Sequence, residues 1–216
     1  MELIKGYDID SYRFKDLVEN WFSCQDCLPK LHLQKSYELF DREHDQSTRW
    51  HRIFYEMIRK DDSFNTIYIS FLKNIIKPRF GEEIVYQKIP TFRVHLPNNI
   101  AVGEFHKDKN YRDEKWAEQV REVNYYLPLT KAYGTNTVWA ESEEDLGDFK
   151  PIECDYGDCV EWNAYKLTHG NKINKTSVTR VSFDFRVIPK SRYVDSNHLT
   201  INTGTPFGIG GYYEVL

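Results

Sequence analysis

Two side chains in Gly103-Glu104-Phe105-His106-Lys107-Asp108 have the type and spacing to bind a metal. His106 and Asp108 are two positions apart, and in an extended segment residues i and i+2 project from the same face. An imidazole nitrogen and a carboxylate oxygen can therefore converge on one point. The candidate for a third donor is His169, in Leu167-Thr168-His169-Gly170-Asn171. Two His and one carboxylate on one face of a metal leave the opposite positions open, the donor set of non-haem Fe(II) oxygen chemistry. Arg180 follows eleven residues later, with Ser182 two positions on. A guanidinium with a hydroxyl beside it suits bidentate capture of a carboxylate of a dicarboxylic acid.

Those residues need a scaffold, and the pattern around them supplies one. The run 178–187 alternates: Arg180, Ser182, Asp184 and Arg186 share one face, and Val181, Phe183, Phe185 and Val187 share the other. The apolar face should meet helices and the polar face should line a cavity. The same sorting places Glu104 beside His106, Asn124 beside Tyr126, and Thr91 and Arg93 beside His95. The remaining histidines, His32, His44, His51 and His198, fall in helical or tail segments and read as structural.

From Pro90 onward the hydrophobic period is two. Strands are expected at 91–96, 100–106, 121–129, 136–141, 151–154, 158–163, 167–169 and 177–187, with a solvated acidic loop at 141–148. About eight short strands with frequent turns is the count of a double-sheet jelly roll. Up to about Ile89 the chain reads as mostly helical. Phe14, Leu17, Val18, Trp21 and Phe22 recur at helical spacing, a second helix spans 48–59, and a third starts at an Asp62 or Ser63 cap and ends at Pro78. The expected fold is mainly β with N-terminal helices (α+β), a double-stranded β-helix with the helices packed on one sheet. One domain, 1–216, then divides into helical support (1–89), jelly-roll core (90–188) and a tail (189–216). That tail holds Gly204, Gly208, Gly210 and Gly211 before Tyr212-Tyr213, and it reads equally as a lid, a dimer arm or a packed strand.

Composition sets the outer limits. With 216 residues, 40% hydrophobic and 29% charged, the chain can bury one substantial core. Fifteen per cent aromatic residues favours β structure and an aromatic-lined cavity. A net charge of −4 argues against binding a nucleic-acid backbone. No leader or membrane-length apolar stretch is visible. Cys24, Cys27, Cys154 and Cys159 read as ordinary reduced cysteines rather than a zinc site, which places the chain in the cytoplasm.

Four runs carry a resemblance: Pro90-Thr91-Phe92-Arg93-Val94-His95-Leu96-Pro97, Gly103-Glu104-Phe105-His106-Lys107-Asp108, Gly134-Thr135-Asn136-Thr137-Val138-Trp139, and Thr179-Arg180-Val181-Ser182-Phe183-Asp184-Phe185-Arg186-Val187. They resemble the Fe(II)/2-oxoglutarate-dependent oxygenases, and more narrowly the branch found in streptomycin biosynthesis clusters, related to the phytanoyl-CoA hydroxylases. The resemblance runs from about Gln87 to the C-terminus. It implies that His106, Asp108 and His169 hold Fe(II), and that Arg180, helped by Ser182, pairs with the distal carboxylate of 2-oxoglutarate. It implies O2 as oxidant, succinate and CO2 as products, and no catalytic side chain beyond the metal ligands. Halogenating relatives carry a small residue in place of the acidic ligand. Asp108 is retained here, which favours hydroxylation.

Around that centre, Asn124 reads equally as a donor to the cosubstrate's proximal carboxylate and as a structural amide in its strand. Glu104, Arg93, Trp139, Asn163 and Tyr126 are the expected pocket for a small polar substrate. A carboxylate at Glu104, unless it simply pairs with Arg93 or Arg186, would suit an amine-bearing one. The alternative is a non-redox, cupin-like metal isomerase or epimerase, which would need no Arg180 and Ser182 on the inner face.

Overall fold

The computed structural model describes residues 1–34, 46–102, 104–111, 113–196, 198–200 and 204–216. Gly103 and His44, both singled out above, lie outside them.

Chain order alternates little. A short edge strand β1 (Glu2–Ile4) precedes helices α1 (Phe14–Trp21), α2 (Arg49–Lys60) and α3 (Asp62–Phe71). Then come β2 (Ile84–Gln87), β3 (Thr91–His95), helix α4 (Glu114–Val120), β4 (Val123–Pro128), β5 (Val138–Ala140), β6 (Lys150–Pro151), β7 (Cys159–Trp162), β8 (His169–Asn171), β9 (Arg180–Pro189) and β10 (Tyr213–Val215). Among the described residues the strands form two antiparallel sheets. The larger has the order β1-β7-β4-β9-β2-β10, and β3 also pairs with β9; the smaller has the order β6-β5-β8.

Strand β9 is the spine. Its ten residues pair with β4 along one edge, and with β3 and then β2 end to end along the other. Alternation on β9 sorts as the sequence predicts. Phe183 meets Phe14 and Phe64 edge-on, with ring centroids 5.1 and 5.5 Å apart, and Phe185 meets Tyr68 at 5.3 Å. These rings are fully buried and join α1, α3 and the sheet in one core. Edge-to-face pairs of this kind add roughly 0.5–1.5 kcal/mol each beyond the area they bury. The helices therefore cover the apolar face of the large sheet, and its polar face is left for chemistry.

Several expectations need correction. Within the mostly helical stretch to Ile89, the short strands β1 and β2 were not expected and belong to the large sheet. The cap of α3 is Asp61, whose carboxylate accepts from the Ser63 amide at 2.9 Å. Among the described residues of 100–106 none belongs to a strand, and only His106 makes a bridge. The C-terminal tail ends as β10, paired antiparallel with β2. Cys24 and Cys27 are joined as a disulfide, their Cα atoms 5.8 Å apart, because Ser23 and Asp26 take positive φ and fold the chain back. Cys154 and Cys159 are free and buried. Cysteine chemistry thus no longer points to a compartment. No described helix is long and apolar enough to cross a membrane.

Candidate metal centre

His106 and His169 are brought together by the backbone itself. Each donates its amide to the other's carbonyl, both at 2.9 Å, so they face one another across an isolated antiparallel bridge. Asp108 begins a 3-10 turn, and its amide donates to the carbonyl of Ala164 at 3.0 Å, five residues before His169. Two segments far apart in sequence are thereby stitched on both sides of the three side chains. Gly170 permits the approach: a Cβ there would meet the Phe105 ring at 2.8 Å and the Phe105 Cα at 3.1 Å.

The imidazoles are oriented for a common ligand. His106 Nδ1 lies 2.9 Å from the Glu104 carbonyl, and His169 Nδ1 lies 2.9 Å from that of Leu167. Donation at Nδ1 leaves each Nε2 with a lone pair. Those Nε2 atoms lie 3.7 and 3.8 Å from Asp108 Oδ1. His106, Asp108 and His169 can each offer a donor atom, all within 4.8 Å of one another, and no other such cluster occurs among the described residues. Two neutral imidazole nitrogens and one carboxylate oxygen fit Fe(II).

Asp108 is buried, and burial alone would raise its pKa. The Arg186 guanidinium, with His106 and His169, overcomes that and holds the carboxyl well below its ordinary range. Burial pushes the His169 pKa down, favouring the neutral form, whereas at His106 the contact with Asp108 outweighs burial and raises the pKa, so a metal competes there with a proton.

A cavity opens beside the three donors. Arg93 on β3, Asn124 and Tyr126 on β4, and Arg180, Asp184 and Arg186 on β9 line it from the large sheet; Val138 and Asn171 line it from the small one. Arg180 is 1% exposed. Its Nε donates to the Asn136 carbonyl at 3.1 Å and its Nη1 to Ser182 Oγ at 2.8 Å. No carboxylate ion-pairs with it among the described residues. Burial, first of all, depresses its pKa. His95 packs beside it, with Nδ1 3.0 Å from the same Asn136 carbonyl and a pKa pushed down to about 3 by burial and by Arg180.

The structure thus gathers His106, Asp108, His169, Asn124, Tyr126, Arg93 and Arg180 around one space, while Ser182 is fully buried off the wall and supports Arg180. Asn124 lines the cavity, and its Nδ2 also donates to Asp108 Oδ2 at 3.3 Å. Three pocket residues lie elsewhere. Glu104 is exposed and off the cavity wall, and Arg186 pairs with Asp108 and Glu122 instead of Glu104. Trp139 points away: its Nε1 donates to the Gly134 carbonyl, and Lys172 lies over its ring. Asn163 is exposed and caps a turn, accepting from the Lys166 amide at 3.1 Å. In the last two cases the neighbours Val138, Trp162 and Ala164 face inward.

Sequence reasoning also missed supporting groups. Asp184 faces the cavity and makes no hydrogen bond with the described residues; Arg93 Nε lies 3.8 Å from it. Alternation had put Asp184 on the right face. The acidic segment 141–148 is a largely exposed loop, as expected, but it is tied down. Lys107 pairs with Asp145 and Lys109 with Glu144, at 2.5 and 2.6 Å, while buried Glu141 accepts from the Thr168 and Gly147 amides. The loop braces both segments that carry the metal ligands.

No family model matches the chain. ThoJ, a non-heme monooxygenase solved as its nickel complex, matches with a TM-score of 0.47 and 12% identity, over 88% of this chain and 73% of its own. SnoK, an alpha-ketoglutarate-dependent carbocyclase from nogalamycin biosynthesis, matches with a TM-score of 0.49 and 10% identity, over 87% and 79%. Structures this distant say nothing about what this chain binds. The streptomycin biosynthesis protein StrG of Streptomyces griseus is far nearer, 36% identical over 213 residues that span 97% of this chain and 96% of that protein. Identity sustained over both whole lengths is a family relationship, and the chain belongs to the family of StrG, the streptomycin-biosynthesis-type branch that its motifs resemble.

Proposed function

We propose that this protein is an Fe(II)- and 2-oxoglutarate-dependent dioxygenase of the non-haem oxygenase superfamily, a single domain built on a double-stranded β-helix, hydroxylating a small polar molecule. The observation that carries the proposal is Arg180. A guanidinium buried to 1% exposure beside three convergent metal donors has no carboxylate partner among the described residues. An unpaired buried charge is costly, and a ligand carboxylate would supply the missing partner. A non-redox isomerase using the same donors would leave Arg180 uncompensated.

Each residue has a definable task. His106, Asp108 and His169 would hold Fe(II), and with 2-oxoglutarate and O2 bound the centre would supply oxidative decarboxylation to succinate and CO2 coupled to insertion of one oxygen into a substrate C–H bond. Arg180 and Ser182 fix the distal carboxylate, which sets the direction from which the 2-oxoacid reaches the donors. Asn136 and Ser182 hold the guanidinium fork in plane. Tyr126 and Trp162 wall the space with aromatic surface and exclude water. The expected test is succinate formation from 2-oxoglutarate, requiring both added Fe(II) and O2 and lost on chelation. Substrate-independent metal binding with no succinate under any condition would count against the oxygenase reading.

Substrate recognition shifts from Glu104 to Asp184. Asp184 is the cavity carboxylate that is not a metal donor; Arg93 lies 3.8 Å from it, but its oxygens make no hydrogen bond to the described residues, so it can accept one from a substrate hydroxyl or amine. Hydrogen bonds to a charged group contribute about 1.5–3 kcal/mol. Asp184→Asn should raise the substrate KM about 10- to 100-fold and leave 2-oxoglutarate affinity near wild type. Glu104→Gln should change neither. Steady-state kinetics on substrate-stimulated succinate release would check both, and the reverse ranking of the two variants would return the role to Glu104.

A further inference from the structure

The oxygen of Asp108 that faces away from the histidines is not free. Asp108 Oδ2 accepts from Arg186 Nη2 at 2.8 Å and from Asn124 Nδ2 at 3.3 Å. Arg186 is itself held from two directions. Its Nη1 donates to the Tyr212 hydroxyl at 2.6 Å, and its Nε lies 3.6 Å from Glu122 Oε2. The other oxygen of Glu122 accepts from the Tyr213 hydroxyl. Tyr212 and Tyr213 lie where the C-terminal tail enters the large sheet: the Lys88 amide donates to the Tyr212 carbonyl at 2.9 Å, and Tyr213 is paired with Gln87. Glu122, Arg186, Tyr213 and Asp108 come from four separate parts of the chain, and all four are largely buried.

We propose that the C-terminal strand is part of the metal centre: Tyr212, Tyr213 and Glu122 fix Arg186, and Arg186 fixes the rotamer of Asp108 so that Oδ1 alone points at the metal position. This rests on the metal reading given above. Arg186 is a positioning residue here, for it touches a ligand and not the metal. A carboxylate can turn about its last bond or bind through both oxygens. A charge-assisted bond to Oδ2 prevents both and preserves the open positions that a three-donor face requires. Tyr212 adds direction without charge, since its hydroxyl accepts from the same guanidinium. The Gly-rich segment before it has a plain role in this account. Gly211 allows the turn into the strand, because a Cβ there would meet the Pro206 carbonyl oxygen at 2.3 Å.

Outer partners of metal ligands typically change affinity about 10- to 100-fold when altered. The test is Co(II) titration of the full-length apoprotein, read by visible absorption and by calorimetry. Tyr212→Phe keeps the ring and the charge balance, and Arg186→Lys keeps the charge but cannot reach Asp108, Glu122 and Tyr212 together. Both should weaken Co(II) binding about 10-fold or more and alter the visible spectrum. In the double variant Tyr212→Phe should add little to Arg186→Lys, because it acts through that side chain. Tyr193→Phe, which removes a tail contact to the Ile209 amide away from Arg186, should bind Co(II) like wild type. A wild type that binds Co(II), with Tyr212→Phe and Arg186→Lys within twofold of it, would overturn the inference and leave the metal site standing. Equal losses in Tyr193→Phe would overturn it too, by showing general loosening of the tail. A wild type that takes up no Co(II) would overturn the metal reading and this inference with it.

Discussion

Asp108→Ala should leave a protein that folds but neither holds Fe(II) usefully nor forms succinate. The substitution removes the only anionic donor of the three, and two imidazoles on one face are a poor site for a hard divalent ion. It also strands Arg186, which loses its 2.8 Å partner. Breaking a buried pair by removing one member costs about 3–5 kcal/mol in general. Here Glu122, 3.6 Å from Arg186, keeps a counter-charge nearby, so the loss should fall at or below the lower end of that range. Two measurements separate the effects. Thermal unfolding of the apoprotein reports the stranded charge. The stabilisation by added metal reports the site, and that should be about 2.7 kcal/mol for wild type at a hundredfold excess over Kd, and near zero for the variant. Asp108→Ala with undiminished metal stabilisation would remove Asp108 from the ligand set.

The second large effect belongs to Arg180. Arg180→Lys keeps the positive charge but loses the fork that Asn136 and Ser182 hold in plane. A lysine offers one compact donor group where the guanidinium offers two parallel bonds. Each lost charge-assisted bond is worth about 1.5–3 kcal/mol, so 2-oxoglutarate affinity should fall about 10- to 100-fold or more. The substrate KM should move far less, since Asp184, its proposed partner, is untouched by the change. Metal affinity should not move at all. An unchanged 2-oxoglutarate constant would mean that Arg180 is a structural charge and that another cavity guanidinium, Arg93 or Arg186, takes the carboxylate.

Much of this centre was legible in sequence because its signals are local. The i, i+2 spacing of His106 and Asp108 and the alternation on β9 need no knowledge of the rest of the chain. Register was legible only where a strand was long enough to show its phase. On β9 ten residues fix which face is polar; β5 and β8 have three each, and a one-residue slip moves every side chain to the other face. That is why Trp139 was expected inside where Val138 is; Asn163 lies just past the four-residue β7, where alternation no longer holds, and Trp162 and Ala164 face inward instead. Glu104 failed for a related reason, since the described residues of 100–106 do not form the strand its alternation assumed. The tail was illegible on principle. Its pairing with β2 joins residues more than a hundred positions apart, and nothing near Tyr212 in sequence points to Arg186.

Metal and 2-oxoglutarate should share a site built by His106, Asp108, His169 and Arg180. Anaerobic calorimetric titration of 2-oxoglutarate into Fe(II)-loaded and metal-free protein tests it most directly. Tight binding to the loaded protein, much weaker binding without metal, and loss of most of the loaded affinity in Arg180→Lys are the predicted results. Binding of equal strength with and without Fe(II), or none to the loaded protein, would contradict it.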